Sequence, residues 1–343
     1  MMPKRVFCIF VVFVFLFSAQ LYASSSKKIF IVASYSEHDL CGSPQYKGIV
    51  SALKESEFQD FAITSIYLDS KRLGKKALEK RKQALIQQID EERPYLIVTI
   101  DDLAFSVVAP CVVGEGPPWV VFSGLNRSLE EYNHALHFLK GNTPIKNITG
   151  IYEYLFMPEQ IKFFDLISPE RKKIALLYST DFMGNILKDQ VVRELEDAGL
   201  TDRLLYFPVA NMDELAEKSA QIENNPQIGG YIPLTMSVKG EKGEKYTIRE
   251  LAPILIRKVK KIDLALNMAF TKSGFLGGVS VDFYQMGHQA GELAANIIRQ
   301  YPISRLGVQR AERYRFVINK RRLQSLGLEL PEEIYNMLDE LVL

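Results

Sequence analysis

The sequence is poor in the residues that most often build cross-links and metal sites. It holds three cysteines, one tryptophan and four histidines in 343 residues, which excludes a disulfide-dense scaffold and makes a Cys/His zinc module a poor reading. An excess of charge of one sign is also missing. Lys and Arg total 42 against 41 Asp and Glu, whereas a nucleic acid or an anionic membrane calls for a clustered basic face. The one basic run, Lys71, Arg72, Lys75, Lys76, Lys80, Arg81 and Lys82, reads as the solvated face of a helix. Beyond the N-terminus no stretch reaches the about 18 uninterrupted apolar residues that a membrane-spanning helix needs.

Catalytic signatures are equally scarce. Gly278-Val279-Ser280-Val281-Asp282 approaches a nucleophile elbow but lacks its final glycine and the strand-to-helix turn at Ser280. The glycines of Gly240-Glu241-Lys242-Gly243 lack phosphate-loop spacing. His134 and His137, beside Glu130 and Glu131, read as an exposed polar segment. The expectation is a protein with no catalytic residue, no metal and no cofactor.

What is present begins with a tripartite N-terminus. Lys4 and Arg5 precede the apolar run Val6 to Phe17, and small residues follow at Ala23, Ser24 and Ser25, the pattern of a secretory signal peptide. Cys8 lies inside the apolar run, so the lipoprotein pattern is not met. We expect residues 1–25 to be removed, leaving a soluble periplasmic or otherwise extracytoplasmic chain with no membrane span. Export would leave Cys41 and Cys111 where disulfides persist, and the sequence leaves their pairing open.

After the signal, short Val/Ile-rich runs alternate with amphipathic segments. The first set runs Ile29–Tyr35, helix 45–56, Ala62–Leu68, helix 75–93, Tyr95–Ile100 and Trp119–Phe122. A second set repeats the rhythm from Ile148: a helix from Pro158, strand 174–178, helix 185–198, strand 204–209, helix 212–223, strand 230–234, helix 248–260 and strand 264–268. Such alternation predicts βαβ units and parallel sheets. The chain is also long enough for two lobes. A helix over 287–299, a strand over 314–318 and a last helix over 331–341 are left to pack onto these lobes, which calls for chain crossings near 124–150, 270–285 and 305–320.

The run Gly278 to Gly287 before an Ala-rich helix, then Phe316-Val317-Ile318-Asn319-Lys320 and Leu326-Gly327-Leu328-Glu329-Leu330-Pro331, resembles the tail of the ABC transporter substrate-binding family with tryptophan- and tyrosine-binding members. Ile148-Thr149-Gly150-Ile151 leading to Pro158-Glu159-Gln160 resembles that family's entry into its second lobe. The resemblance implies an α/β fold of two Rossmann-like lobes with parallel sheets joined by a three-crossover hinge, the type I periplasmic binding protein. Lobe 1 is then 26–147 plus about 283–310, and lobe 2 is 148–282 plus about 311–343. It implies a small-molecule ligand, an amino acid or similar and aromatic in some members, handed to an ABC permease with its ATPase. A sensor receptor or kinase is the alternative partner.

Ligands in open α/β sheets bind beyond the carboxyl ends of strands. The candidates at those ends are Tyr35, Ser36, Asp101, Asp102, Ser123 and Gly124 in the first lobe, and Tyr152, Tyr178, Ser179, Asp181, Phe182, Thr235 and Asn267 in the second. Asp282 and Tyr284 fall at a crossover, and the resemblance places Tyr284 at an aromatic pocket position. Carboxylates such as Asp101 or Asp282 suit an amino group, and tyrosine faces suit an aromatic body. His38 sits in a candidate pocket loop. No Arg stands at these ends to clamp a carboxylate, Arg127 and Lys272 being the nearest cations by sequence.

Overall fold

The apolar run Lys28–Ala33 (β1) is buried along nearly its whole length, as a strand covered by helices on both faces must be. The computed structural model describes residues 28–56, 61–168, 170, 172–234, 237–240 and 243–343. The expected signal peptide and Thr235 lie outside the described residues. From β1 the chain alternates through α1 (Gly42–Glu55), β2 (Ala62–Tyr67), α2 (Lys75–Glu92), β3 (Leu96–Ile100), α3 (Asp101–Val112), β4 (Trp119–Leu125) and α4 (Leu129–Leu136). A hairpin of β5 (Leu139–Lys140) and β6 (Thr143–Pro144) precedes β7 (Ile148–Tyr152). The main strands are parallel in the order β7-β4-β3-β1-β2.

The second lobe follows with α5 (Met157–Ile167), β8 (Lys173–Ser179), α6 (Phe182–Asp197), β9 (Leu204–Val209), α7 (Met212–Asn224) and β10 (Ile228–Pro233). Next come the hairpin β11 (Val238–Lys239) and β12 (Lys245–Tyr246), then α8 (Ile248–Lys258), β13 (Ile262–Asp263), α9 (Met268–Lys272) and β14 (Gly277–Val281). Its parallel sheet runs β13-β10-β8-β9. The chain then returns through α10 (Phe283–Ile298) and β15 (Gln309–Arg310), which pairs with β7 in the first sheet. It leaves again for β16 (Tyr314–Asn319), α11 (Lys320–Ser325), α12 (Glu332–Asn336) and β17 (Glu340–Val342). β16 pairs antiparallel with β14 and parallel with β17. The chain therefore changes lobes three times, after β7, after β14 and after β15.

Three expectations are corrected. Ile148–Tyr152 does not open the second lobe, because it pairs with β4 in the first sheet. Gly150 permits this fit, since a Cβ there would lie 2.3 Å from the Phe122 carbonyl oxygen. The first crossing consequently falls just after 152, beyond the expected window. The strand expected over 264–268 is shorter and earlier, because Asn267 accepts from the Phe270 amide (3.2 Å) and starts α9. The expected terminal helix stops at Asn336, where Asp339 takes over: its amide donates to the Phe316 carbonyl (2.9 Å) and its carboxylate accepts from the Phe316 amide (2.6 Å), drawing β17 onto β16.

The returning helix α10 is tied to the first lobe by backbone contact with α1. A Cβ on Gly48 would sit 2.1 Å from the Tyr284 carbonyl oxygen, and one on Gly287 would sit 2.1 Å from that of Gln45. At the other end, Arg322 Nε donates to the buried Asp263 Oδ2 (2.7 Å), fixing α11 to the second lobe. Both cysteines among the described residues are free, Cys41 at the start of α1 and Cys111 exposed on α3.

Candidate functional site

β3 ends at Ile100, and the next residue enters α3 with φ +65°, a left-handed conformation unusual for a residue with a side chain. That residue is Asp101, 5% exposed. Its Oδ1 accepts from Gln45 Nε2 (2.9 Å), and Gln45 Oε1 accepts in turn from Ser123 Oγ (2.7 Å). Gly124, at φ +77°, leaves the space: a Cβ there would lie 2.8 Å from Gln45 Oε1 and 3.0 Å from Asp101 Oδ1. Residues from α1, β4 and α3 thus hold one carboxylate in a single orientation. Its second oxygen, Oδ2, is buried and has no hydrogen-bond partner.

Asp101 lines a cavity of about 200 Å³ between the lobes. Tyr35, Cys41, Lys71, Asn126 and Glu153 share the wall from the first lobe, while Met183, Pro233, Leu234, Leu266, Asn267 and Phe270 face it from the second. Leu155 and Phe283 contribute from the crossovers. The wall combines apolar and aromatic surface with a few convergent polar groups, as small-molecule sites do.

The electrostatics are dominated by acid. Burial pushes the Asp101 carboxyl up to about 7, and burial together with the Asp101 charge pushes Glu153 up to about 8. Burial also raises the Tyr35 phenol and the Cys41 thiol, so both stay protonated at neutral pH. Lys71 is the one cation among the described cavity residues. Its Nζ lies 2.6 Å from Asp39 Oδ2 and 3.7 Å from the centre of the Tyr35 ring.

The hinge behind the cavity is braced by one face of α6. Glu194 accepts from the amides of Leu155 (2.7 Å) and Met157 (3.2 Å). Gln190 Nε2 donates to the Glu153 carbonyl (2.8 Å), and Arg193 Nη2 donates to that of Asn126 (3.0 Å). Asn126 Nδ2 donates to Gln190 Oε1 (3.1 Å). Burial raises Glu194 to about 7. Groups beside the cavity are therefore bonded across the lobe boundary, where lobe rotation would be felt.

Of the residues expected from sequence, Tyr35, Asp101 and Asn267 line the cavity. Ser123 and Gly124 stand one layer behind Asp101 and position it. Asp102 is turned to the loop after β4, accepting from the Asn126 and Arg127 amides (3.0 and 3.1 Å) and from Tyr132 Oη (2.9 Å). The Ser36 carbonyl accepts from the Asp39 amide (3.1 Å), and the Tyr152 carbonyl from that of Ala311 (2.9 Å), the latter bracing the third crossover. Ser179 bonds Asp181 (3.1 Å), which caps α6 through the Gly184 amide (2.8 Å). Tyr178 packs on the second-lobe core. Phe182 is exposed under the Arg127 guanidinium, 5.2 Å from its ring centre. Asp282 caps α10 through the Gln285 amide (3.0 Å). Tyr284 points outward beside His288, and its neighbour Phe283 takes the cavity position. His38 is exposed, and Lys272 lies 3.5 Å from Glu340.

The sequence reading missed Lys71, which was assigned to a helix face. It precedes α2, in the loop after β2, and reaches the cleft. It also missed Glu153, adjacent to the chosen Tyr152, and Asn126, two residues past Gly124. Strand-end position was the available signal for both.

Residues 31–342 match the family model described as ABC transporter substrate binding protein. The chain belongs to the ABC transporter substrate-binding protein family. A tyrosine-binding protein of Clostridioides difficile (strain R20291) is 24% identical over 214 residues, 61% of this chain and 54% of that protein. The aligned part thus spans about half the length of that curated relative. Among solved structures, the ABC domain in complex with L-Trp from Streptococcus pneumonia is 19% identical with a TM-score of 0.67. A ligand-free, open substrate-binding protein with adhesive properties from Clostridium difficile is 14% identical with a TM-score of 0.70. Each covers 92% of this chain and 99% of its own. These likenesses establish the fold, that of a two-lobed type I periplasmic binding protein, and substrate-binding proteins of this family are extracytoplasmic.

Proposed function

We propose that the chain is an exported solute-binding protein that captures a small molecule bearing a protonated amine and an apolar or aromatic body, and presents it to an ABC permease. The observation that carries this reading is Asp101 Oδ2, a buried carboxylate oxygen without a partner on the wall of the interlobe cavity. Burial makes this carboxyl costly to ionise while it is unpaired, so an incoming cation that stabilises the ionised form gains a strong partner there. Tyr35, Phe270 and Phe283 supply surface for the body of the ligand. The relatives named for tyrosine and solved with L-Trp support the same class.

Closure of the lobes on the ligand requires contacts with both, since a ligand shifts an equilibrium only by its differential affinity for the two states. Asp101 and Glu153 face it from one lobe, Asn267 and Phe270 from the other. No residue here is asked to make or break a covalent bond. The test is thermal stabilisation of the mature protein across a panel of amino acids and amines. A selective rise in Tm is expected for amine-bearing members, and no rise for any member would overturn the reading.

A further inference from the structure

The charge balance of the cavity restricts the ligand further, and the inference rests on the reading that this cavity binds a solute through an amine. We propose that the preferred ligand is an organic cation without a carboxylate, a primary amine on an apolar or aromatic body, and not the zwitterionic amino acid.

Two carboxyls face the cavity, Asp101 and Glu153. Against them stands Lys71, whose charge is already committed. Its Nζ is 2.6 Å from Asp39 Oδ2, while Asp39 Oδ1 accepts from the Cys41 and Gly42 amides (3.0 and 3.1 Å). Asp39 is thus held by three donors, and its carboxylate already offsets the Lys71 charge, so Lys71 adds no net positive charge for a ligand carboxylate. No arginine is present among the described cavity residues.

The other usual holders of a carboxylate are amides at helix starts, and near the cavity the chain's own caps have taken several. Asp39 occupies the first amides of α1. The Ala104 amide at the start of α3 donates to Ser34 Oγ (2.9 Å). Asp181 takes the Gly184 amide of α6 (2.8 Å), and Asn267 that of Phe270 in α9 (3.2 Å). A carboxylate entering this space would meet the Asp101 charge with Lys71 already paired to Asp39 and no arginine among the described cavity residues, an unfavourable like-charge arrangement. An ammonium group would find an unpartnered oxygen on Asp101 and a second acid on Glu153.

The experiment compares matched pairs by isothermal titration calorimetry at pH 8: tryptamine with L-tryptophan, tyramine with L-tyrosine and phenethylamine with L-phenylalanine. The amine of at least one pair should bind ~10-fold or more tightly than its amino acid, a difference of ~1.4 kcal/mol. In the same assay Glu153→Gln should weaken that amine ~10-fold or more, with the circular dichroism spectrum reporting that the variant is folded. Equal or tighter binding of the amino acids would overturn the inference and leave amine capture standing. No binding in either series by folded protein would overturn both.

Discussion

Replacing Asp101 by Asn separates the cost of the site from its use. The substitution keeps the shape and the Oδ1 acceptor for Gln45, and removes the charge. Burial lifts this carboxyl from 3.8 to about 7. At about 1.4 kcal/mol per unit, ionising it in the ligand-free protein at pH 8 costs up to about 4 kcal/mol of stability. The new amide replaces Oδ2 with an unpaired buried donor, which returns about 1–3 kcal/mol. The net expectation at pH 8 is a stabilisation of about 1–3 kcal/mol, a rise in Tm of roughly 2–5 °C for a chain of this length. At pH 5 the wild-type carboxyl is already protonated in the folded state, so most of this difference should vanish. Affinity for the amine should move the other way, falling on the order of 100-fold with loss of the charged partner. Differential scanning calorimetry at the two pH values, with titration calorimetry at pH 8, reads all three effects. An Asp101→Asn protein destabilised equally at both pH values, with ligand affinity unchanged, would refute the reasoning.

Other expectations follow from the same geometry. If the amine binds the ionised form of Asp101, affinity should fall as pH drops through about 7, by ~10-fold between pH 8 and 6 from this one group; constant affinity would assign the contact elsewhere. Ligand-free stability should have the opposite slope. Asp101, Glu153 and Glu194 are all raised by burial, so the stability they contribute when protonated is complete below about pH 4 and is lost as pH rises through about 7 to 8. Urea titrations across that window measure it, and a rise in their contribution with pH would contradict the burial. Gly124→Ala should cost about 1–3 kcal/mol, through its positive φ and the contact with Gln45, and should weaken the ligand by shifting Asp101. Gly287→Val should cost about 3 kcal/mol or more by forcing α10 off α1, read as a lower urea midpoint.

The fold was legible because its central strands, such as β1 and β3, are apolar on both faces and the strands alternate with amphipathic helices at a steady interval. Errors fell where tertiary pairing decided the outcome. Ile148–Tyr152 looks like the first strand of a new lobe until Gly150 fits it against Phe122, and the C-terminal segment is pulled into β17 by Asp339. The site was legible to the level of strand ends and no finer. Asp101 and Asp102 are neighbours at one strand end, yet one faces the cavity and the other holds a loop. Tyr152 and Glu153, like Tyr284 and Phe283, differ by one position, which along a strand or helix turns the side chain away. Lys71 sits in a run of basic residues, and its side chain is held at the cleft by Asp39 and Tyr35, more than 30 residues earlier.

The central claim is that Asp101 anchors a cationic group between the lobes. A crystal structure of the mature chain with its tightest-binding amine measures this directly. The account predicts the ligand nitrogen at ~2.8 Å from Asp101 Oδ2, with the body against Phe270 and Phe283. A ligand held through Lys71 with Asp101 Oδ2 untouched, or bound outside the cleft, would contradict it.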